Sequence, residues 1–347
     1  MLTGVVLSLG GCNRVRSHWT NISAGEKDAG GGSFAYDAAH DVLFVSAANG
    51  VLRCTAPGTK PAWTHMVGGR KVDYVASLCY DSVHNVLYAA AGSGVYSWAG
   101  PEGAGAWKTM NGVGDNFSLA YDDSGDVLYA GTRGGVYRCT NPASSPAWAV
   151  VDGGPRGATT LSLLYDSTRR VLFAGTDSQG IGVWKYQGGV WTNLDRNFSK
   201  SRSIGHGGAL AYDSSRDILY TPGRQGILRC AKAATDPSWR TVGGVGSYYF
   251  SAVAIDTTKN VLYAGAYVPL PDNPYLETAP GATPKINQNS HGVFACANPD
   301  SRPAWTNTGG ALSSKNIGDL AYDPGHRMMY AAAGAEGAWR YDRSTDK

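Results

Sequence analysis

The sequence predicts an all-β fold: one seven-bladed β-propeller of four-stranded blades, closed by an N-terminal strand that completes the last blade. Three observations carry this. A Tyr-Asp dipeptide recurs at Tyr36-Asp37, Tyr80-Asp81, Tyr121-Asp122, Tyr165-Asp166, Tyr212-Asp213 and Tyr322-Asp323, with Ile255-Asp256 as a degenerate copy. Their spacings are 44, 41, 44, 47, 43 and 67 residues, so five are nearly constant and one carries an insertion. A self-similar period of roughly 40 to 45 residues is the length of one propeller blade. Seven tryptophans (Trp19, Trp63, Trp107, Trp148, Trp191, Trp239 and Trp305) share the period, but Trp19 precedes the first Tyr-Asp and no counterpart follows the last. Glycine is abundant, 47 of 347 residues, and recurs at fixed places in the repeat, as turns between many short strands require.

Each blade can be justified strand by strand. The first strand is small and apolar, as in Ser118-Leu119-Ala120, which suits the narrow centre of a ring. It ends in Tyr-Asp, whose carboxylate can accept turn N–H groups. Three variable residues and a frequent Asp or Asn lead into the second strand, for example Val127-Leu128-Tyr129-Ala130-Gly131. A glycine (Gly50, Gly94, Gly135, Gly182, Gly226, Gly292, Gly337) opens the third strand, as in Gly135-Val136-Tyr137-Arg138-Cys139. The fourth strand carries the tryptophan, which suits a wide gap near the rim and brings a large apolar area. The last copy has only three strands, so the segment 17–23 supplies the fourth. Closure of this kind removes two exposed sheet edges. The expected organisation is a leader over 1–16, then one propeller over 17–347. Its blades fall at about 33–69, 75–112, 116–153, 160–196, 208–244, 249–310 and 317–343 plus 17–24.

Composition excludes several classes. With 43% hydrophobic and 16% charged residues the chain has the apolar content that a disordered protein lacks. Glycine has no triplet period, which excludes collagen. A net charge of +3 without a Lys/Arg run gives no nucleic-acid footprint. No run of ~18 apolar residues exists to form a transmembrane helix.

The stretch from Tyr121-Asp122 through Val127-Leu128-Tyr129-Ala130-Gly131-Thr132 and Gly135-Val136-Tyr137-Arg138 to Trp148 resembles the blades of sialidase-like propellers. These include the Asp-box (BNR) and photosystem-assembly-factor-like repeat proteins. The resemblance runs in weak repeats from Trp19 to the C-terminus and implies the propeller fold. The Asp-box itself, Ser/Thr-x-Asp-x-Gly-x-Thr-Trp, is absent: the equivalent link reads Thr140-Asn141-Pro142-Ala143-Ser144-Ser145-Pro146-Ala147-Trp148. That box is structural in the family, so its loss does not decide activity.

Several constellations invite a chemical reading. The Asp-x-x-x-Asp/Asn pairs (Asp37/Asp41, Asp81/Asn85, Asp122/Asp126, Asp213/Asp217, Asp256/Asn260) offer too few oxygens for calcium. Their recurrence makes them blade-building turn caps. Cys54, Cys139, Cys230 and Cys296 occupy one strand-three position on separate blades, too far apart for disulfides. With no Cys-x-x-Cys there is no zinc signature, and neither metal nor cofactor is expected. Unpaired thiols disfavour an oxidising compartment. Leu9-Gly10-Gly11-Cys12 points the other way: as a lipobox it would put a lipid anchor at Cys12 and the protein in the envelope or outside the cell. As a chance motif in a glycine-rich chain it leaves the protein cytoplasmic. The stretch before it lacks the basic residues of a signal peptide.

The loops from strand four to strand one, and from strand two to strand three, emerge on the same face of a propeller. They place Asp73, Tyr74, Asn116, Phe117, Thr159, Thr160, His206, Tyr248, Tyr249 and Asn316 around the channel mouth, with Arg133, Asp177 and Arg224 beside them. An insertion over 266–291 brings Tyr267, Tyr275, Glu277 and His291 to this face, and long loops in compact domains are often functional. The loop 193–208 adds Arg196, Lys200, Arg202 and His206. The reading is a non-catalytic propeller that binds a glycan, peptide or protein partner here, because aromatic side chains stack on sugars or anchor partners. One alternative is a glycoside hydrolase or lyase using Glu277, His206 and Tyr249, with arginines on a substrate carboxylate. Another is a multivalent lectin with a pocket between each pair of blades.

Overall fold

In the computed structural model the chain is described over residues 19–23, 25–26, 31–47, 49–177, 182–194, 209–223, 226–243, 249–267, 292–308 and 310–342. Among the described residues, 28 short strands form seven separate four-stranded antiparallel sheets. In six of them the strand order follows the chain. The seventh pairs Trp19–Asn21 with Ala338–Asp342, so the N-terminal strand is the outer strand of the last blade. The architecture is the closed seven-bladed propeller expected from the phase of the tryptophans.

The second strand of each blade shows why this sequence folds so. Val42–Ala47, Val86–Ala91, Val171–Thr176 and Ile218–Gly223 are buried along their whole length, with no alternation. A strand whose two faces both meet neighbouring blades must be apolar on both. The fourth strands are the opposite case. In Ala62–His65, Ala147–Val150 and Ala304–Asn307 only the tryptophan is partly covered.

That tryptophan links the blades. The indole N–H of Trp63, Trp107, Trp239 and Trp305 donates to a backbone carbonyl just beyond the preceding blade's outer strand: Ile22, Met66, Leu194 and Gly243. Trp19 donates to Thr308 Oγ1 at 2.8 Å, so the closing strand obeys the same rule. Gly154 shows the room this takes, since a Cβ there would lie 2.8 Å from the Trp191 ring.

A second belt lies in the turn after Tyr-Asp. Asp37 Oδ1 accepts the N–H groups of Ala39 and His40, and Asp81 Oδ1 those of Val83 and His84. The fifth residue of all seven turns has positive φ: Asp41, Asn85, Asp126, Arg170, Asp217, Asn260 and Arg327. Asp and Asn tolerate this region better than other non-glycine residues, which explains their recurrence there. The tyrosine hydroxyls bind the same fifth residue at 2.8 to 2.9 Å in four blades: Tyr36 to Asp41, Tyr80 to Asn85, Tyr121 to Asp126 and Tyr212 to Asp217. Tyr80 also donates to Asp37 of the preceding blade at 2.9 Å. The Asp pairs are therefore turn caps and blade joints. Cys54, Cys139, Cys230 and Cys296 are fully buried and form no disulfide among the described residues. Burial pushes the Cys54 thiol up to about 12 and those of Cys139 and Cys296 to about 11, which leaves them unreactive.

Candidate functional site

The fold brings the described members of the expected face to the entrances of the first strands and the turns between strands two and three. On blade 3, Asn116 opens the first strand and pairs in register with Thr132, which closes the second. This register sets Arg133 beside Phe117, and the guanidinium carbon lies 5.9 Å from the ring centroid. The backbone supports the pair, since Arg133 N–H donates to Asp115 and Asp115 N–H donates to Gly92 on blade 2. On blade 4, Thr160 opens the first strand and the Asp177 N–H donates to the Thr159 carbonyl at 2.9 Å. On blade 6, Tyr249 and Tyr267 are cross-strand partners whose rings meet edge to face, with centroids 6.1 Å apart. Burial raises the Tyr267 hydroxyl above the usual phenol range. Tyr267 is the last described residue before 268–291.

Blade 2 holds the most unusual residue of the face. Tyr74 is 83% exposed and has φ +54°. Asp115 holds the equivalent place on blade 3 with φ +51°. Asp is among the residues that visit this region; a bulky aromatic is not. Beside it, Asp73 pairs with Lys71 at 2.7 Å through Oδ2 while its Oδ1 has no partner among the described residues. Asn116 Oδ1, Ser118 Oγ, Thr160 Oγ1 and Asp177 Oδ1 are likewise buried without a partner among the described residues. All five polar atoms belong to blades 2 to 4.

Asn316 is exposed in the link between blades 6 and 7. Arg202, His206, Arg224, Tyr248, Tyr275, Glu277, His291, Arg196, Lys200 and Cys12 lie outside the described residues.

Sequence reasoning missed two features. The first is the inner ring formed three residues before each Tyr-Asp: Ser33, Ser77, Ser118, Ser162, Ala209, Ala252 and Asp319. Ser33 Oγ accepts the N–H of Leu78 on the next blade and Ser77 Oγ that of Leu119. Asp319 does the same between blades 7 and 1, its Oδ2 accepting Phe34 N–H at 3.0 Å. Aligning the copies would have shown an acid where the others have Ser or Ala. These strands line an open central cavity of about 290 Å³.

The second is a histidine joint on the opposite face. His84 Nδ1 lies 2.9 Å from Asp81 and 3.2 Å from the Tyr121 hydroxyl, and Asp126 completes a group whose ligand atoms fall within 4.8 Å. Blades 7 and 1 repeat it with His326, Asp323, Tyr36 and Asp41. The donors and acceptors satisfy one another, so the group stands as a blade joint.

No protein-family model matches this chain. No curated protein matches it either. The fold has many solved counterparts. Two are described as the extracellular domain of a one-component and of a hybrid two-component system, BT4673 from B. thetaiotaomicron. They share 13% and 14% identity with a TM-score of 0.66, over 93% and 94% of this chain. This chain spans about 40% of the length of those two. A chain of the mitotic checkpoint complex is similar at 14% identity and a TM-score of 0.66, over 98% of this chain and 96% of that one. Identities this low establish the propeller fold and leave function to the site.

Proposed function

We propose that this propeller is a non-catalytic receptor that binds a glycan on the face carrying blades 2 and 3 and the 266–291 insertion. Tyr74 carries the reading. A left-handed backbone costs an L-residue roughly 1–2 kcal/mol, and a solvent-exposed aromatic ring gives the free protein nothing in return. Strain held at an exposed position is a pointer to function. Other side chains of the same face suit a sugar. Phe117 under Arg133, and Tyr249 against Tyr267, offer aromatic faces for C–H surfaces. Asp73 and Asp177 offer carboxylate acceptors for hydroxyl groups. Of the other exposed large hydrophobics among the described residues, Val67 shares the link with Tyr74, while Val83, Val150 and Val190 lie on other turns, unlike a broad apolar docking face.

The repeat pattern also supports kinship with Asp-box propellers, without their activity. The hydrolase alternative rests on Glu277 and His206, which lie outside the described residues, so no described geometry favours it. The extracellular domains of one- and two-component systems that share the fold are compatible with a receptor role. An oligosaccharide array probed with the wild-type chain and with Tyr74→Ala tests the proposal. Retention of a related set of glycans by wild type, with at least tenfold weaker binding by the variant, supports it. Binding of no glycan, or binding indifferent to Tyr74, Phe117 and Arg133, overturns it.

A further inference from the structure

The inner ring contains one substitution with chemical meaning. At this position blades 1 to 4 use serine and blades 5 and 6 alanine, while blade 7 uses Asp319. A hydroxyl suffices for the joint, as Ser33 and Ser77 show by accepting the next blade's N–H at 2.9 and 3.1 Å. A carboxylate makes the same bond to Phe34 and adds a negative charge at the centre of the protein. Among the described residues its Oδ1 accepts only its neighbour's N–H, from Leu320 at 2.8 Å. Among the described residues lining the cavity of about 290 Å³, Asp319 is the one charged side chain and there is no Lys, Arg or His. Two backbone donors do not neutralise a carboxylate. Asp319 is half-buried on the cavity wall, so its charge is only partly hydrated and gains from an opposite charge in the lumen. Burial indeed pushes this carboxyl up to about 7, so near neutral pH it is balanced between the two states.

We propose that the central channel is a cation site in which Asp319 is the anionic ligand, taking a positively charged group small enough for the lumen. The shared chemistry is a hard positive charge facing carboxylate and hydroxyl oxygens. It is supplied by a metal ion such as Na⁺ or Ca²⁺ or by a primary ammonium group. Protons compete for the same oxygen. Cation affinity therefore falls roughly tenfold per pH unit below about 7, as for any ligand whose binding requires deprotonation.

Thermal unfolding of the full chain tests this against Asp319→Ser, which installs the residue of four sister blades and keeps the blade joint. With tetrabutylammonium as sole counter-cation, CaCl₂, NaCl and methylammonium chloride are each titrated at pH 8 and pH 5. The expected result is that at least one raises the wild-type Tm by several degrees at pH 8, much less at pH 5, and leaves Asp319→Ser unmoved. Which salt acts distinguishes a metal ion from an ammonium group. Shifts equal in the two proteins, or none in the wild type, overturn the proposal.

Discussion

Removing Trp19 asks whether the N-terminal strand closes the ring or merely rests against it. Trp19 is 6% exposed, its ring centroid lies 5.3 Å from that of Tyr341, and its indole N–H reaches Thr308 on blade 6 at 2.8 Å. The same segment places Ile22 at 2% exposure and supplies the carbonyl that the Trp63 indole of blade 1 donates to. One strand therefore joins blades 6, 7 and 1. Truncating a buried tryptophan costs about 3–5 kcal/mol. Trp19→Ala should thus lose about 3–5 kcal/mol in urea unfolding and roughly 5–15 °C in Tm, in a single transition. Trp19→Phe isolates the hydrogen bond. Thr308 Oγ1 keeps its own bond to Val293, so this variant should lose only about 1 kcal/mol beyond the small change in ring area. Trp107→Ala, at the equivalent and equally buried site within the chain, should cost as much as Trp19→Ala. A loss below about 1 kcal/mol for Trp19→Ala, or an early separate transition, would refute closure and indicate a frayed terminal strand.

Other expectations follow from the turns and the opposite face. Arg170→Asn and Arg327→Asn put a residue that accepts positive φ where five sister blades already have Asp or Asn. Each should stabilise by about 0.5–1 kcal/mol in chemical unfolding. The histidine joints set a pH dependence. Hydrogen bonds donated to the Asp37, Asp81 and Asp323 carboxylates raise the pKa of His40, His84 and His326 above the unfolded value. Their contribution is therefore fully present below about pH 6.5 and lost as pH rises through the folded values. NMR titration of the three rings, with unfolding midpoints from pH 6 to 8.5, should show both changes. Folded pKa values at or below 6.5 would contradict the joint.

The legible part of this protein is the part that repeats. Tyr-Asp, the strand-three glycine and the displaced Trp19 together specify the blade, the count and the closure, because each blade must solve one packing problem with the same residues. Even the register placing Phe117 beside Arg133 follows from a hairpin of known length. Asp319 was also written in the repeat, but its meaning needed the ring: only side by side do seven first strands show one carboxylate among serines and alanines. Tyr74 was not legible in full. Tyrosine carries no signal for positive φ, and the strain comes from the chain path between blades 1 and 2, which overrides local preference. The histidine joints depend on contacts between turns about 40 residues apart, such as His84 with Tyr121. Spacing alone does not reveal them.

The receptor reading stands most directly on Tyr74, and one substitution measures it from both sides. Tyr74→Asn replaces a strained exposed ring with a side chain suited to φ +54°. If Tyr74 is held for a ligand, the variant should unfold about 0.5–1 kcal/mol later than wild type and bind the array's best oligosaccharide at least tenfold more weakly. A variant that is less stable while binding equally well would show that Tyr74 serves the fold, and would contradict the account.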